Sequence, residues 1–97
     1  MQDDHNFRQM TIRQVADLDE PAALETVQQR LQVGHDPLQI VEDSQEGLRQ
    51  VGLRYEQQEY YISGLIMAGE IFRQVMELVQ PAITEQHQGS EQGKILL

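Results

Sequence analysis

The chain has 97 residues, which is enough for one compact domain and leaves little room for a second. It contains no cysteine, and this excludes disulfides, zinc–thiolate sites, iron–sulfur clusters and cysteine nucleophiles. A formal net charge of −9, with seven basic residues scattered along the chain, disfavours binding to a nucleic acid.

The N-terminal stretch from Met1 to Asp4 is polar and acidic, whereas a secretory leader begins with basic residues followed by an apolar run. No apolar stretch of the chain approaches the ~20 residues that are needed to span a bilayer. We therefore expect a soluble, cytoplasmic protein with no membrane partner.

A first helix is predicted from about His5 to Asp17, with a broad apolar side formed by Phe7, Met10, Ile12, Val15 and Ala16.

Two further helices are indicated by their start and stop signals. Asp19 is suited to cap a second helix, and Gly34 is suited to end it. Its apolar face is predicted to consist of Leu24, Val27 and Leu31. Asp36 and Pro37 form the start signal of a third helix, as a cap followed by a residue with a preset φ. The predicted buried stripe of that helix comprises Leu38, Val41, Leu48, Val51 and Tyr55.

Gly52 lies inside the third predicted helix, where glycine costs about 1 kcal/mol relative to alanine. Two explanations are open. A neighbouring helix packs tightly against the backbone at this position, or a ligand approaches it closely.

A fourth helix is predicted from about Tyr61 to Thr84, after a turn from Gln57 to Tyr60, and the polar stretch from Thr84 to Gln92 predicts a linker. One stripe of this helix is expected to fill the core: Tyr61, Leu65, Ala68, Phe72, Val75, Met76 and Val79. Other apolar residues lie outside that stripe, namely Ile62, Ile66, Met67 and Ile71. This excess predicts packing against another helix, a dimer interface, or an apolar roof over a flat ligand. Tyr55 and Ile62 flank the turn and are placed to form such a roof.

Three motifs resemble a known family: DPLQI at 36–40, GLRYEQQEYYISGLIMA at 52–68 and GKILL at 93–97. With them, the chain from about Asp17 to Leu97 resembles the helical cap of the corrinoid-binding module in methionine synthase and in cognate corrinoid proteins of methyltransferase systems. The resemblance implies an all-α four-helix bundle over residues 1–85. It also implies that residues 86–97 are a linker and the start of a Rossmann-like cobalamin-binding domain, truncated before the histidine that ligates cobalt.

The resemblance also implies a binding surface. In the family, an aromatic residue and a leucine lie against the upper face of the corrin ring and shield the methyl–cobalt bond, and here these positions are Tyr55 and Ile62. Leu65, Ile66 and Gly52 complete the expected cofactor-binding set. Tyrosine replaces the usual phenylalanine, and Ser63 stands where many members have proline. Cobalamin, as methylcobalamin, is expected in the full-length protein, whereas this segment alone is not expected to hold it tightly or to supply a metal ligand.

The implied function is a non-catalytic cap of a corrinoid protein that carries methyl groups between methyltransferases. Its expected partners are its own C-terminal cobalamin-binding domain, methyltransferase enzymes and, for the isolated segment, further copies of itself. One alternative is the cap of a cobalamin-dependent light sensor or transcriptional regulator, in which tryptophan and histidine stand at the positions of Tyr60 and Ile71. Another is a cofactor-free helical interaction module. The histidines are far apart and are expected to be exposed, which disfavours an enzyme site formed by His5, His35 and His87.

Overall fold

The computed structural model describes the backbone of residues 2–88 and the side chains of residues 5–85. Four helices make up this part of the chain: α1 (Gln2–Ala16), α2 (Glu20–Gln32), α3 (Pro37–Glu56) and α4 (Ile62–Gln88). Helix α3 packs against both α1 and α4, and α2 packs against the other side of the same two helices. This arrangement confirms the predicted all-α four-helix bundle. Within residues 2–88 no helix has the length and apolar character that a membrane span requires.

The predicted N-terminal caps of α2 and α3 are both present. The Asp19 carboxylate accepts a hydrogen bond from the Ala22 amide at 3.4 Å, and the Asp36 carboxylate accepts one from the Leu38 amide at 3.1 Å. The end of α4 differs from the prediction, because the helix continues to Gln88 and includes residues 84–88, which the sequence predicted to be linker. The remainder of the predicted linker and the GKILL segment lie outside the described residues.

The first three helices end in the same hydrogen-bonded motif, in which one residue adopts a left-handed conformation. These residues are Leu18 (φ 60°), Gly34 (φ 87°) and Gln58 (φ 68°). At the end of α3 the Glu59 amide donates to the Arg54 carbonyl at 2.8 Å. The sequence indicated this ending only at Gly34, because glycine is the residue that enters this region without a steric cost.

The apolar core is formed by side chains from all four helices. Its fully buried members are Val15, Ala23, Val27, Ile40, Ile71, Val75 and Val79. The predicted core stripe of α4 is therefore wrong at two positions, because Ile71 is completely buried and Tyr61 is 79% exposed. Tyr61 precedes the first residue of α4 and does not share its helical phase. Ile71 is buried because α4 packs against both α2 and α3, and this requires a broader apolar face.

The predicted buried stripe of α3 also needs correction. Leu38 and Tyr55 of that stripe are 44% and 40% exposed. Ile40 and Gly47, which lie outside it, are buried. A Cβ placed on Gly47 would lie 2.6 Å from the Cβ of Val15, so the absence of a side chain allows α1 to approach. Gly52 has no atom within 4 Å of the corresponding position. Tight helix packing therefore explains Gly47 and not Gly52.

A buried polar cluster, which the sequence analysis did not predict, connects the first three helices. Arg30 of α2 and Asp43 of α3 are each 1% exposed, and their Nη1 and Oδ2 atoms are 2.8 Å apart. Arg30 Nη1 also donates to the Thr11 hydroxyl at 3.1 Å, and Arg8 Nε donates to Asp43 Oδ1 at 3.1 Å. Arg30 and Asp43 each lie at a helical spacing from core residues of the same helix. That spacing was the sequence signal for their burial.

His35, which was predicted to be exposed, is half-buried and belongs to this cluster. Its Nδ1 atom accepts a hydrogen bond from Arg30 Nε at 2.9 Å. Its ring meets the Phe7 ring edge-on, with 5.3 Å between the centroids. The prediction of an exposed histidine is confirmed for His5, while the side chain of His87 lies outside the described residues. His35 therefore has a structural role at the junction of α2 and α3.

Candidate functional site

The turn between α3 and α4 brings two of the predicted site residues to the same place. Tyr55, near the end of α3, and Ile62, the first residue of α4, line one open depression of about 680 Å³. Tyr55 is 40% exposed and Ile62 is 59% exposed. The remainder of the lining comes from Glu56, Gln58, Tyr60 and Tyr61.

The apolar surface continues from this depression along α4. Ile66 lies one turn after Ile62 and is 69% exposed, which is unusual for an isoleucine. At about 100° per residue, Ile66 points away from the buried face of α4. Leu65 is half-buried beside it. Three of the apolar residues that the sequence placed outside the core, Ile62, Ile66 and Met67, are therefore exposed. We call Gly52, Tyr55, Ile62, Leu65 and Ile66 together the outer face.

Two glycines on these helices have no packing partner in the described structure. A Cβ added to Gly52 of α3 or to Gly69 of α4 would meet no atom within 4 Å. Glycine inside a helix costs about 1 kcal/mol relative to alanine, so neither residue is explained by the fold of the chain. Gly52 precedes Tyr55 by three residues and Gly69 follows Ile66 by three, so each lies on the same side of its helix as an outer-face residue. Gly69 was not among the site residues predicted from the sequence.

The turn is anchored to the C-terminus of α1. Arg54 Nη1 and the Tyr60 hydroxyl each donate a hydrogen bond to the Ala16 carbonyl, at 2.9 Å in both cases. Arg54 also pairs with the Asp17 carboxylate at 2.9 Å. The hydrogen bond to Asp17 raises the pKa of the Arg54 guanidinium, and a second bond to Tyr60 adds to the shift.

The chemistry available at the outer face is apolar and aromatic contact together with bare helix backbone. Within the residues that the structure describes, no three His, Asp or Glu side chains come together as metal ligands. The exposed apolar and aromatic side chains suit the surface to contact with an apolar group. Its outward-facing isoleucines favour a ligand or a partner on this side of the bundle.

Comparison with known proteins gives two matches. The chain matches the model of a family described as B12 binding domain over residues 8–80, a region that includes the whole outer face. It is also similar to trimethylamine corrinoid protein 1 of Methanosarcina acetivorans, with 29% identity over 68 residues, which are 69% of this chain and 32% of that protein. The chain thus spans about a third of the length of this relative. No solved structure matches it with significant similarity.

Proposed function

Since the chain belongs to the B12 binding domain family as a helical, cap-type module, we propose that its outer face covers the upper face of a cobalamin ring. The observation that carries this proposal is the convergence of Tyr55 and Ile62 on one open depression. Ile62 is apolar and Tyr55 is aromatic. Both remain exposed in the part of the chain that the structure describes.

Two features of the outer face support contact with a corrin ring: open space beside the helix backbone and a row of exposed apolar side chains. A flat macrocycle needs room beside the helix backbone, and the open space at Gly52 provides it. Ile62 and Ile66, one turn apart on α4, offer a row of apolar contact. Leu65, a half-buried residue of α4, forms the inner edge of this contact in the proposal. Tyr55 is 40% exposed, and its hydroxyl requires a hydrogen-bond partner wherever the ring covers it.

The proposed role is to protect the group that cobalamin carries. When bound, cobalamin supplies the methyl-transfer chemistry at its cobalt. In this role, Tyr55 and Ile62 would exclude water from the group that cobalamin carries, and contact through exposed side chains would let the cap move aside when a methyltransferase docks. No residue of the chain acts as acid, base or nucleophile in this proposal.

In this role the chain belongs to a cytoplasmic corrinoid protein that carries methyl groups between methyltransferases. Its direct partner is a cobalamin-binding domain of the same protein, which contributes the lower ligand of cobalt. The outer face alone touches one side of the ring, so we expect only weak binding of methylcobalamin by the 97-residue chain. A light-sensor role is disfavoured because Ile71, at the position of the sensor's histidine, is fully buried in the core.

The proposal is tested by titrating the isotope-labelled chain with methylcobalamin and following its NMR spectrum, which detects millimolar binding. We expect shifts of the Ile62 and Ile66 methyl signals and of the Gly52 amide. The methyl signal of Ile40, in the core, and the amide of Gly34, in the α2–α3 turn, serve as internal controls.

Substitutions then separate the outer face from other exposed apolar residues. Tyr55→Ala and Ile62→Ala should each weaken the binding several-fold, as expected for the loss of about 1 kcal/mol or more of apolar contact. Leu53→Ala is the matched control, because Leu53 is 42% exposed on the same helix as Tyr55 but does not line the depression. Equal effects of all three substitutions, or no shift on the outer face at several millimolar ligand, would count against the proposal.

A further inference from the structure

The C-terminal end of α1 depends on the α3–α4 turn for its last hydrogen bond. The final carbonyls of a helix have no partner within the helix. Those of Arg13, Gln14 and Val15 accept bonds from the amides of the turn that follows. The Ala16 carbonyl instead accepts from Arg54 Nη1 and from the Tyr60 hydroxyl, both at 2.9 Å. The positive charge of Arg54 also complements the negative end of the helix dipole.

Arg54 and Tyr60 also contact each other, and this connects the two ends of the turn. Arg54 Nη1 donates to the Tyr60 hydroxyl at 2.8 Å, and its guanidinium lies 5.5 Å from the centre of the Tyr60 ring. The backbone carbonyl of Arg54 accepts the Glu59 amide at 2.8 Å. One arginine therefore contacts the start of the turn, its end and the neighbouring helix.

Gly64 provides the space in which Tyr60 lies. A Cβ on this buried glycine would be 3.3 Å from the Cβ of Tyr60 and 3.4 Å from Cδ1 of Leu18. Both distances are at or below the close end of normal contact, so a larger residue would displace the tyrosine or the α1–α2 turn. Tyr60 is thus held between α4 and the end of α1.

These contacts flank the two residues that are proposed to cover the corrin ring. Tyr55 follows Arg54 directly, and Ile62 follows Tyr60 by two residues. Neither is held by the core, since they are 40% and 59% exposed. We infer that Arg54 and Tyr60 are positioning residues, which fix the separation of Tyr55 and Ile62 by anchoring the turn on Ala16. The functional part of this inference rests on the proposed function.

The variant that tests the inference is Tyr60→Phe, which removes the hydroxyl and keeps the ring. Without the hydroxyl, one hydrogen bond to Ala16 and one from Arg54 are lost. We expect amide hydrogen exchange at Gln58 and Glu59 to accelerate about tenfold, and the affinity for methylcobalamin to fall about three- to tenfold, as losing one or two such bonds implies. The Ile62 methyl signal should shift even without ligand.

The matched control is Tyr61→Phe, the same chemical change at the next residue, which is 79% exposed and lines the same depression. It should leave amide exchange at Gln58 and Glu59 unchanged, whereas Leu53→Ala, outside the depression, is the control for the affinity. Gly64→Ala is a second variant that displaces Tyr60 without deleting a polar group, and it should weaken methylcobalamin binding in the same way. Because alanine favours helix more than glycine does, this variant is expected to remain folded.

The possible outcomes separate the inference from the proposed function. If Tyr60→Phe accelerates exchange in the turn but leaves the affinity unchanged, the positioning role is wrong and the proposed function stands. If amide exchange in the turn is the same in Tyr60→Phe and in Tyr61→Phe, the anchoring itself is wrong. If the unaltered chain shows no outer-face shift with methylcobalamin, the proposed function fails and the positioning role fails with it.

Discussion

Arg30 and Asp43 form an ion pair in the interior of the bundle, with 2.8 Å between Nη1 and Oδ2 and 1% of each side chain exposed. Removing two charges from water is expensive, and their attraction offsets this cost only when other hydrogen bonds satisfy the remaining polar atoms. Here Thr11 and His35 bind the arginine, and Arg8 binds the carboxylate. The pair therefore acts as one element of a network that connects α1, α2 and α3.

Removing one member of this pair should destabilise the chain strongly. We expect Asp43→Ala to lower the free energy of unfolding by about 3–5 kcal/mol, because the Arg30 charge stays buried without its partner. Arg30→Ala should lower it by less, because Arg8 still pairs with the Asp43 carboxylate. The double variant should lose less than the sum of the two. Urea denaturation followed by circular dichroism measures all three.

The exposed pair of Arg49 and Glu46, with 2.6 Å between Nη2 and Oε2, is the control for this measurement. Its loss in Arg49→Ala should change the free energy of unfolding far less than the loss of the interior pair, since surface pairs are screened by water. If Asp43→Ala costs no more than Arg49→Ala, the interior pair does not have the structural role assigned to it.

Two glycines of α3 should respond to alanine in opposite directions. Gly47→Ala places a Cβ 2.6 Å from the Val15 side chain and should destabilise the chain by about 1–3 kcal/mol through overpacking. Gly52→Ala meets no atom and should stabilise it by up to about 1 kcal/mol through helix propensity. Thermal denaturation of the two variants compares them directly, and equal signs would contradict the assignment of Gly47 as the close contact.

The gain in stability from Gly52→Ala is expected to come with weaker binding. The added methyl group occupies space that the proposed function assigns to the corrin ring. The NMR titration with methylcobalamin should therefore show lower affinity in the more stable variant. Unchanged affinity would remove Gly52 from the proposed contact surface.

Glu46 should titrate far below the usual range. Hydrogen bonds from Arg49, followed by one from Gln50, lower its pKa from 4.5 to about 2. A lowered pKa means that the ionised form is favoured in the folded chain, so its stabilising effect is complete above pH 4.5 and is lost as the pH falls towards 2. Carboxyl carbon NMR should give this midpoint, and Arg49→Gln should move it back towards 4.5.

The uncovered outer face should make the isolated chain weakly self-associating or able to bind apolar dyes. Ile62→Gln with Ile66→Gln should reduce dye fluorescence and any concentration-dependent dimer, because both side chains are more than half exposed. Analytical ultracentrifugation measures the dimer. If the unaltered chain is monomeric and binds no dye, the outer face is stable in contact with water and the prediction is wrong.

Under the proposed function, the same residues should protect methylcobalamin when this chain stands beside a cobalamin-binding domain. Tyr55→Ala and Ile62→Ala are expected to accelerate photolysis and oxidation of methylcobalamin several-fold, because water and oxygen reach the axial position more easily. Absorption spectra of the cofactor record both rates. Leu53→Ala, at an exposed position outside the depression, should leave them unchanged.

Local signals predicted the helices well because they act within a few residues. Asp19, Asp36 and Pro37 mark helix starts by chemistry that needs no tertiary partner, and Gly34 marks an end for the same reason. Leu18 and Gln58 end helices with the same left-handed conformation but carry no such mark. The surrounding fold holds them there, which no local pattern reveals.

The sequence by itself determined that this is an acidic bundle of four helices and that α4 carries more apolar residues than one face requires. Only the tertiary structure decided which of these residues remain uncovered: Ile71 enters the core, whereas Ile62 and Ile66 do not. It also decided that a neighbouring helix packs against Gly47 rather than against Gly52. The physical reason is that periodicity fixes the angle between side chains on one helix, while burial depends on which helices pack on either side of it.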